Sequence, residues 1–261
     1  MCVLFPVFVL AACSGPVQTV EIPFVARYGD RPLRCDQAAG DIRLTELRLF
    51  VHDVRLLTSD GDAVPVELAD RSPWQGGAVA LLDLEDGTGA CRNGTAALNA
   101  SLQGTIPSGE YTGLAFRIGV PASRNHADPL QAPPPLDQSA MHWHWLTGYK
   151  FLRAGIANGD DGFWIHLGST LCDGTASAPE GCAHANLPRV VLQGFIPGAS
   201  VVAFDLEPLA ATVDLADGTP SDCSSGPAES GCAAPFRALG LEFASGETIG
   251  TPSVVRVTNS E

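Results

Sequence analysis

The chain reads as short stretches in which apolar and polar residues alternate. Val20, Ile22 and Phe24 alternate in VQTVEIPFVA, and Leu47, Leu49 and Val51 do so in ELRLFVHDVRLL. Tyr111–Ile118, Phe163–Gly168, Arg189–Phe195, Val201–Leu206 and Val254–Val257 are further runs of this kind. A period of two sends successive side chains to opposite faces of a strand, so each run predicts a half-buried β-strand. Turn formers separate the runs: SDGD at 59–62, IPSGE at 106–110, NGDDG at 158–162 and IPGAS at 196–200. Twenty prolines and twenty-eight glycines oppose long helices. The pattern predicts an all-β chain, an antiparallel β-sandwich with long disulfide-stapled loops. No repeat or clear linker interrupts it. The Pro-rich QAPPPL at 131–136 reads as an ordered loop, and 20–261 as a single domain.

The N-terminus has a different pattern. Residues 2–12, CVLFPVFVLAA, form a short apolar run that ends in Leu10-Ala11-Ala12-Cys13. Small residues before a cysteine match a bacterial lipobox. The expectation is a lipoprotein signal peptide over 1–12, lipidation of Cys13 and a linker over 13–19. Ser14 after the cysteine resembles an outer-membrane sorting signal. Localisation would be periplasmic or outer-membrane-anchored, with membrane contact only through the lipid. No basic residue precedes the apolar run, and an ordinary secretory signal or a buried strand is the alternative. No apolar run reaches the ~18 to 20 residues of a membrane helix.

Eight cysteines are present. With Cys2 in the signal and Cys13 as the lipid site, Cys35, Cys91, Cys172, Cys182, Cys223 and Cys232 remain. An even count in an exported chain reads as disulfides. Connectivity is open on sequence grounds. Cys172–Cys182 and Cys223–Cys232 are the natural local pairs, because each brackets a small-residue loop, and Cys35–Cys91 would close a long one. A metal site of Cys172, Cys182 and His184 fits no zinc spacing.

Fifteen basic against twenty-nine acidic residues give a net charge of −14. That balance argues against nucleic acid, whose phosphates need clustered Lys and Arg. GxSxG, P-loop, GxGxxG and HExxH motifs are all absent from the sequence, which removes the common hydrolase, nucleotide and zincin classes. What stands out is His and Trp in the middle third: Asn125-His126, then Met141-His142-Trp143-His144-Trp145, then Trp164-Ile165-His166. Imidazole suits copper, zinc, iron and nickel. If 141–145 is extended, Met141, Trp143 and Trp145 share one face. His142 and His144 then share the other, where they would chelate one ion or merely point into solvent.

The order Cys35, Cys91, GVPASRNHADPL, MHWHWLTGYKFLR and HLGSTLC resembles the MbnP-like family, metallo-mystery pair proteins with a four-Cys motif. The resemblance runs from about residue 20 to about 242 and rests on several specific motifs. These are Gly119-Val120-Pro121, Asn125-His126, the M-x-W-x-W of Met141, Trp143 and Trp145, the run Gly148-Tyr149-Lys150-Phe151, and His166-Leu167-Gly168-Ser169 ahead of Cys172. It implies an exported copper-binding protein paired with an MbnH-type di-haem cytochrome c peroxidase that oxidises a tryptophan to kynurenine. It carries His126 and His166 over as metal ligands and makes Trp143 and Trp145 the candidates for oxidation, with Trp164 a third. His142 and His144 fall at x positions, so their ligand role rests on spacing alone. Trp74 stands apart and reads as packing.

Three function classes follow. The leading expectation is a copper lipoprotein for acquisition, storage or delivery, a substrate of its partner and not an enzyme. The second is a structural or adhesive surface lipoprotein without metal. The third, a copper redox enzyme, needs a substrate pocket that the sequence does not show.

Overall fold

The computed structural model describes residues 16–144, 146–175, 178–213 and 221–259. The signal segment, Cys13 and Trp145 lie outside the described residues.

The strands, in chain order, are β1 (Val17–Tyr28), β2 (Arg31–Pro32), β3 (Ile42–Leu57), β4 (Ala63–Pro65), β5 (Glu67–Leu68), β6 (Gln75–Gly76), β7 (Val79–Asp83), β8 (Ser101–Pro107) and β9 (Gly113–Ile118). They continue with β10 (His142–His144), β11 (Gly148–Asn158), β12 (Asp161–Gly168), β13 (Thr170–Thr175), β14 (Ala178–His184), β15 (Arg189–Gln193), β16 (Ser200–Asp205), β17 (Ser221–Cys223) and β18 (Val255–Asn259). The two α-helices, α1 (Glu207–Ala210) and α2 (Ala233–Ala238), are short, as the Pro and Gly content predicts.

One sheet runs β18-β16-β1-β8-β5, with β2 beside β1. The second runs β15-β9-β3-β11-β12-β17, with β4 and β7 on β3, β6 on β7 and β10 on β11. β13 and β14 form a separate two-stranded hairpin. The sheets pack face to face, as expected of a sandwich. Ile22, Phe24, Val202 and Phe204 of the first meet Leu49, Phe116, Leu152 and Ile165 of the second in one core. Phe24 and Phe116 touch edge to face across it, centroids 5.8 Å apart. The sandwich is not wholly antiparallel: β1 runs parallel to β16, and β12 parallel to β17.

β1 begins at Val17, opposite Pro107, so the end of the predicted 13–19 linker is already strand. Its exposed first residues carry no alternation signal. β3 is the long spine of the second sheet. Its first half pairs with β11 and its second half with β9. The pairing passes from β11, which reaches Leu49, to β9, which begins at Val51, and within the β9 pairing a bulge between His52 and Arg55 holds Asp53 at φ +50°, a conformation that Asp tolerates better than most residues.

The three disulfides are Cys35–Cys91, Cys172–Cys182 and Cys223–Cys232, the natural pairing of the sequence reading. Cys35–Cys91 ties together two loops 56 residues apart. On chain entropy alone that closure contributes about 4 kcal/mol.

Both faces of the second sheet are covered. The inner face meets the first sheet. Phe50, Val79, Leu81, Tyr149 and Phe151 project from the outer face, where Val120, Leu136 and Met141 cover them. The covering residues belong to the long connection from β9 to β11. The Pro-rich 131–136 stretch is part of this ordered cover and ends in fully buried Leu136. Trp74 packs against the edge of the same cluster.

Candidate metal centre

The connection from β9 to β11 lies across the sheet as a strap. It leaves β9 at Gly119, φ +123°, where a Cβ would collide with Leu187 and the Phe151 ring. Arg124 Nη1 then donates to the carbonyl of Gly77 at 2.5 Å. Tyr149, fully buried on β11, holds the middle of the strap. Its hydroxyl donates to the Leu136 carbonyl at 2.6 Å and lies 3.2 Å from that of Ala127. Burial, with the charge of Asp128, pushes the Tyr149 hydroxyl up to about 12, so it stays a donor across the physiological range.

Asn125 fastens the strap to the sheet. Its Nδ2 donates to the Thr147 carbonyl at 3.0 Å and reaches Ser169 Oγ at 3.4 Å, while its Oδ1 accepts the Tyr149 N–H at 3.1 Å. Gly148 sits against it with φ +82°, and a Cβ there would strike both the backbone and side-chain oxygens of Asn125. Gly168, at the end of β12, makes room for the Trp143 ring. A Cβ on Gly168 would stand 3.0 Å from Trp143 Cε3 and 2.9 Å from the Tyr149 carbonyl. The motif pieces Asn125-His126, Trp143, Gly148-Tyr149 and Gly168-Ser169, far apart in sequence, therefore meet at one place.

Met141 ends a 3₁₀ turn (Ser139–Met141) and is buried, so the extended stretch begins at His142. His142 lies opposite Tyr149 in β11 and packs edge-on to its ring at 5.3 Å. Burial lowers its pKa, aided by His144 and Lys150. His144 is exposed, and its Nδ1 accepts the Leu146 N–H at 3.2 Å. Trp143, half-buried between them, is the member of the run that touches β12.

On β12, Phe163, Ile165 and Leu167 point into the sandwich core, so Trp164 and His166 point outward. Their rings are 4.6 Å apart, tilted by 34°. His166 Nε2 lies 2.7 Å from Glu46 Oε1, and the other oxygen of Glu46 accepts from Arg153 Nε and Nη2 at 3.1 and 2.5 Å. Burial alone would raise the Glu46 carboxyl, but His166 and Arg153 hold it below its ordinary value. Beyond them Arg48 Nε donates to Asp83 Oδ2 at 2.8 Å and approaches Glu85 Oε2 at 3.6 Å. Three buried carboxylates thus face two buried guanidiniums. Glu85 absorbs the mismatch. Burial pushes its carboxyl up to about 7, with Arg153 and Arg48 pulling it down and Glu46 and Asp83 pushing it up.

His126 Nε2 stands 3.8 Å from Cys182 Sγ. Its Nδ1 is buried without a hydrogen-bond partner, an uncommon state for a buried polar atom and one that marks a position for a ligand or water. His184, on the same hairpin strand as Cys182, packs beside Gly246 instead.

The structure thus places His126 and Trp143 around the Asn125–Gly148–Gly168 junction, and Trp164 on His166. It does not gather His126, His142, His144 and His166 into one set. Among the described residues the one group of three convergent donor atoms is Cys223, Glu229 and Cys232, two of which are already disulfide-bonded. Sequence reasoning missed Glu46, which orients His166, and Arg153, which orients Glu46. Both lie within strand runs, where nothing marks an inward-held charge. As donors, His126 and His166 fit copper or another imidazole-binding transition metal. His166 spends Nε2 on a carboxylate, the arrangement that fixes the tautomer of a metal-binding histidine and leaves Nδ1 as its second donor.

Fold and site together define a disulfide-stapled β-sandwich whose outer face is covered by an ordered strap rich in imidazole and indole. The MbnP family profile matches residues 17–225. This chain belongs to the MbnP family. The solved structure of MbnP from Methylosinus trichosporium superposes with a TM-score of 0.82 at 29% identity, covering 94% of this chain and 100% of that one. A comparison with curated proteins found no match.

Proposed function

We propose that this chain is an exported, lipid-anchored copper-binding protein of the periplasm or outer membrane. In this reading it is the substrate of an MbnH-type di-haem peroxidase, and it serves copper acquisition, storage or delivery without being an enzyme. The observation that carries the reading is the convergence of Asn125-His126, Trp143, Gly148 and Gly168, with His126 Nδ1 buried and unpartnered beside them. His126 and His166 are the proposed ligands. Trp143 is the modified residue best joined to this junction; Trp145 and Trp164 are its rivals. An indole keeps its nitrogen lone pair in the ring and ligates poorly, whereas kynurenine offers an aniline nitrogen and a carbonyl. Copper, when bound, is cargo here.

The test is mass spectrometry with metal analysis on protein co-expressed with and without a di-haem peroxidase. Trypsin cuts after Arg124 and Lys150, so Trp143 and Trp145 share one peptide and fragmentation separates them. A peroxidase-dependent mass change in that peptide, accompanied by copper, supports the reading. Unmodified tryptophans and no copper overturn it. A metal-free surface lipoprotein is favoured by one observation: no histidine among the described residues belongs to a three-donor cluster. Copper content decides between the two.

A further inference from the structure

The three disulfides differ in what surrounds them. Cys35, Cys91, Cys223 and Cys232 are buried in the sandwich core, at 6, 0, 0 and 0% exposure. Cys172 and Cys182 are only half-buried and lie opposite each other on the β13–β14 hairpin, outside both main sheets. The backbone beside them is strained. Leu171, immediately before Cys172, takes φ +52°, a left-handed conformation that costs a non-glycine residue free energy. Exposed and strained disulfides are the labile ones. His126 adds the third feature, its Nε2 lying 3.8 Å from Cys182 Sγ, whereas the hydrogen-bond partners of the core-pair sulfurs among the described residues are Leu84, Leu44 and Glu229.

We propose that Cys172–Cys182 is a thiol–disulfide exchange site, open to small thiols and exposed dithiols, with His126 as the residue that assists the leaving sulfur. An incoming thiolate attacks Cys172 Sγ and forms a new S–S bond there. The Cys172–Cys182 bond breaks, and its electron pair leaves on Cys182 Sγ. His126 Nε2–H is placed to donate a hydrogen bond to that sulfur. With a dithiol, the second thiolate then attacks the mixed disulfide and releases Cys172. The dithiol is oxidised to a disulfide, the cysteine pair gains two electrons, and the two protons given up by the dithiol end on Cys172 and Cys182. The core pairs stay closed because no thiolate reaches their sulfurs. The proposal does not depend on copper.

The experiment uses the full chain with its disulfides intact, in chelator, under native conditions. It is treated with graded dithiothreitol, quenched with N-ethylmaleimide and digested with trypsin, which places the three pairs in separate peptides. The expected result is labelling of Cys172 and Cys182 at about tenfold less reductant than the core pairs require. His126→Ala should slow opening about tenfold, and His126→Gln, which keeps an N–H donor, should restore part of the rate. Cys182→Ser should be captured by oxidised glutathione as a mixed disulfide on Cys172. Opening of all three pairs in parallel, or of Cys172–Cys182 last, overturns the proposal, and so does an unchanged rate in both His126 variants. A failed copper titration alone would overturn the copper reading and leave this one standing.

Discussion

His166 Nε2 and Glu46 Oε1 stand 2.7 Å apart, a direct link between β12 and the buried charges of β3. The contact fixes the histidine ring from behind. It also joins a family motif residue to a carboxylate that no motif contains, and through Arg153 to the interior of the sheet's outer face.

Removing Glu46 tests that link. Its folded pKa lies below the ordinary 4.5, so its contribution is fully present above that ordinary value and is lost as pH falls through the lowered folded one. Glu46→Ala should lower stability at pH 7 by about 3 kcal/mol, because Arg153 is left buried without its partner. The acid side of the stability–pH curve should flatten. Denaturant titrations at a series of pH values read both effects. Equal acid sensitivity in variant and parent would remove Glu46 from the account.

Glu85 carries the opposite sign. Its folded pKa, about 7, is raised above the ordinary 4.5. It therefore opposes folding only once ionised: its neutral form is tolerated below about 4.5, and stability falls as pH rises through about 7. Glu85→Gln should stabilise the protein at pH 8.5 by about 2 kcal/mol and change little at pH 5. Thermal melts at the two pH values suffice. A variant that loses stability at both would show that Arg48 needs the Glu85 charge.

One buried hydroxyl holds the middle of the strap. Tyr149→Phe removes the donor to the Leu136 carbonyl, inside a buried apolar cluster. The expected cost is about 1 to 2 kcal/mol, from the lost bond and the carbonyl left without a partner. Hydrogen exchange should speed in the strap, residues 119–147, before it speeds in β3 or β11. Uniform acceleration across the chain would place the effect on global stability instead.

Strands with one face on the core and one in water are legible in sequence, and β1, β12 and β15 lie where alternation puts them; β16 lies on its predicted run although all its residues are buried. β11 carries no such signal. Tyr149 and Phe151 pack under the strap and Leu152 in the sandwich core, so apolar residues fall on both faces and, with Lys150 and Arg153 among them, the run shows no period of two. β7 (VALLD) escapes notice for the same reason. β13 and β14 are hidden among Gly, Pro and Asp. The site was legible in part. His126, Trp143, Trp164 and His166 stand out by type and density, whereas Glu46, Arg48, Asp83 and Arg153 look like ordinary solvent-facing positions. Only tertiary packing turns them into a buried network, and packing of that kind leaves no mark on the local pattern.

Gly148 is the position where the motif's geometry is least forgiving. Two constraints coincide there: φ is +82°, and the space a Cβ would occupy is held by the Asn125 oxygens. Gly148→Ala therefore has no cheap relaxation. Moving Asn125 breaks its bonds to Thr147 and the Tyr149 N–H, and moving Gly148 shifts the start of β11 beside Trp143. The expected loss is about 2 to 4 kcal/mol, and the Trp143 environment should change even where the protein stays folded. Gly159→Ala is the control. It has a similar positive φ of +61° but nothing within 4 Å of the added methyl, so it should cost about 1 kcal/mol and leave Trp143 undisturbed. The comparison is read by denaturant melts and near-ultraviolet circular dichroism. If the two variants behave alike, the penalty is backbone strain alone, and the packing of Asn125 against Gly148 does not hold the centre together.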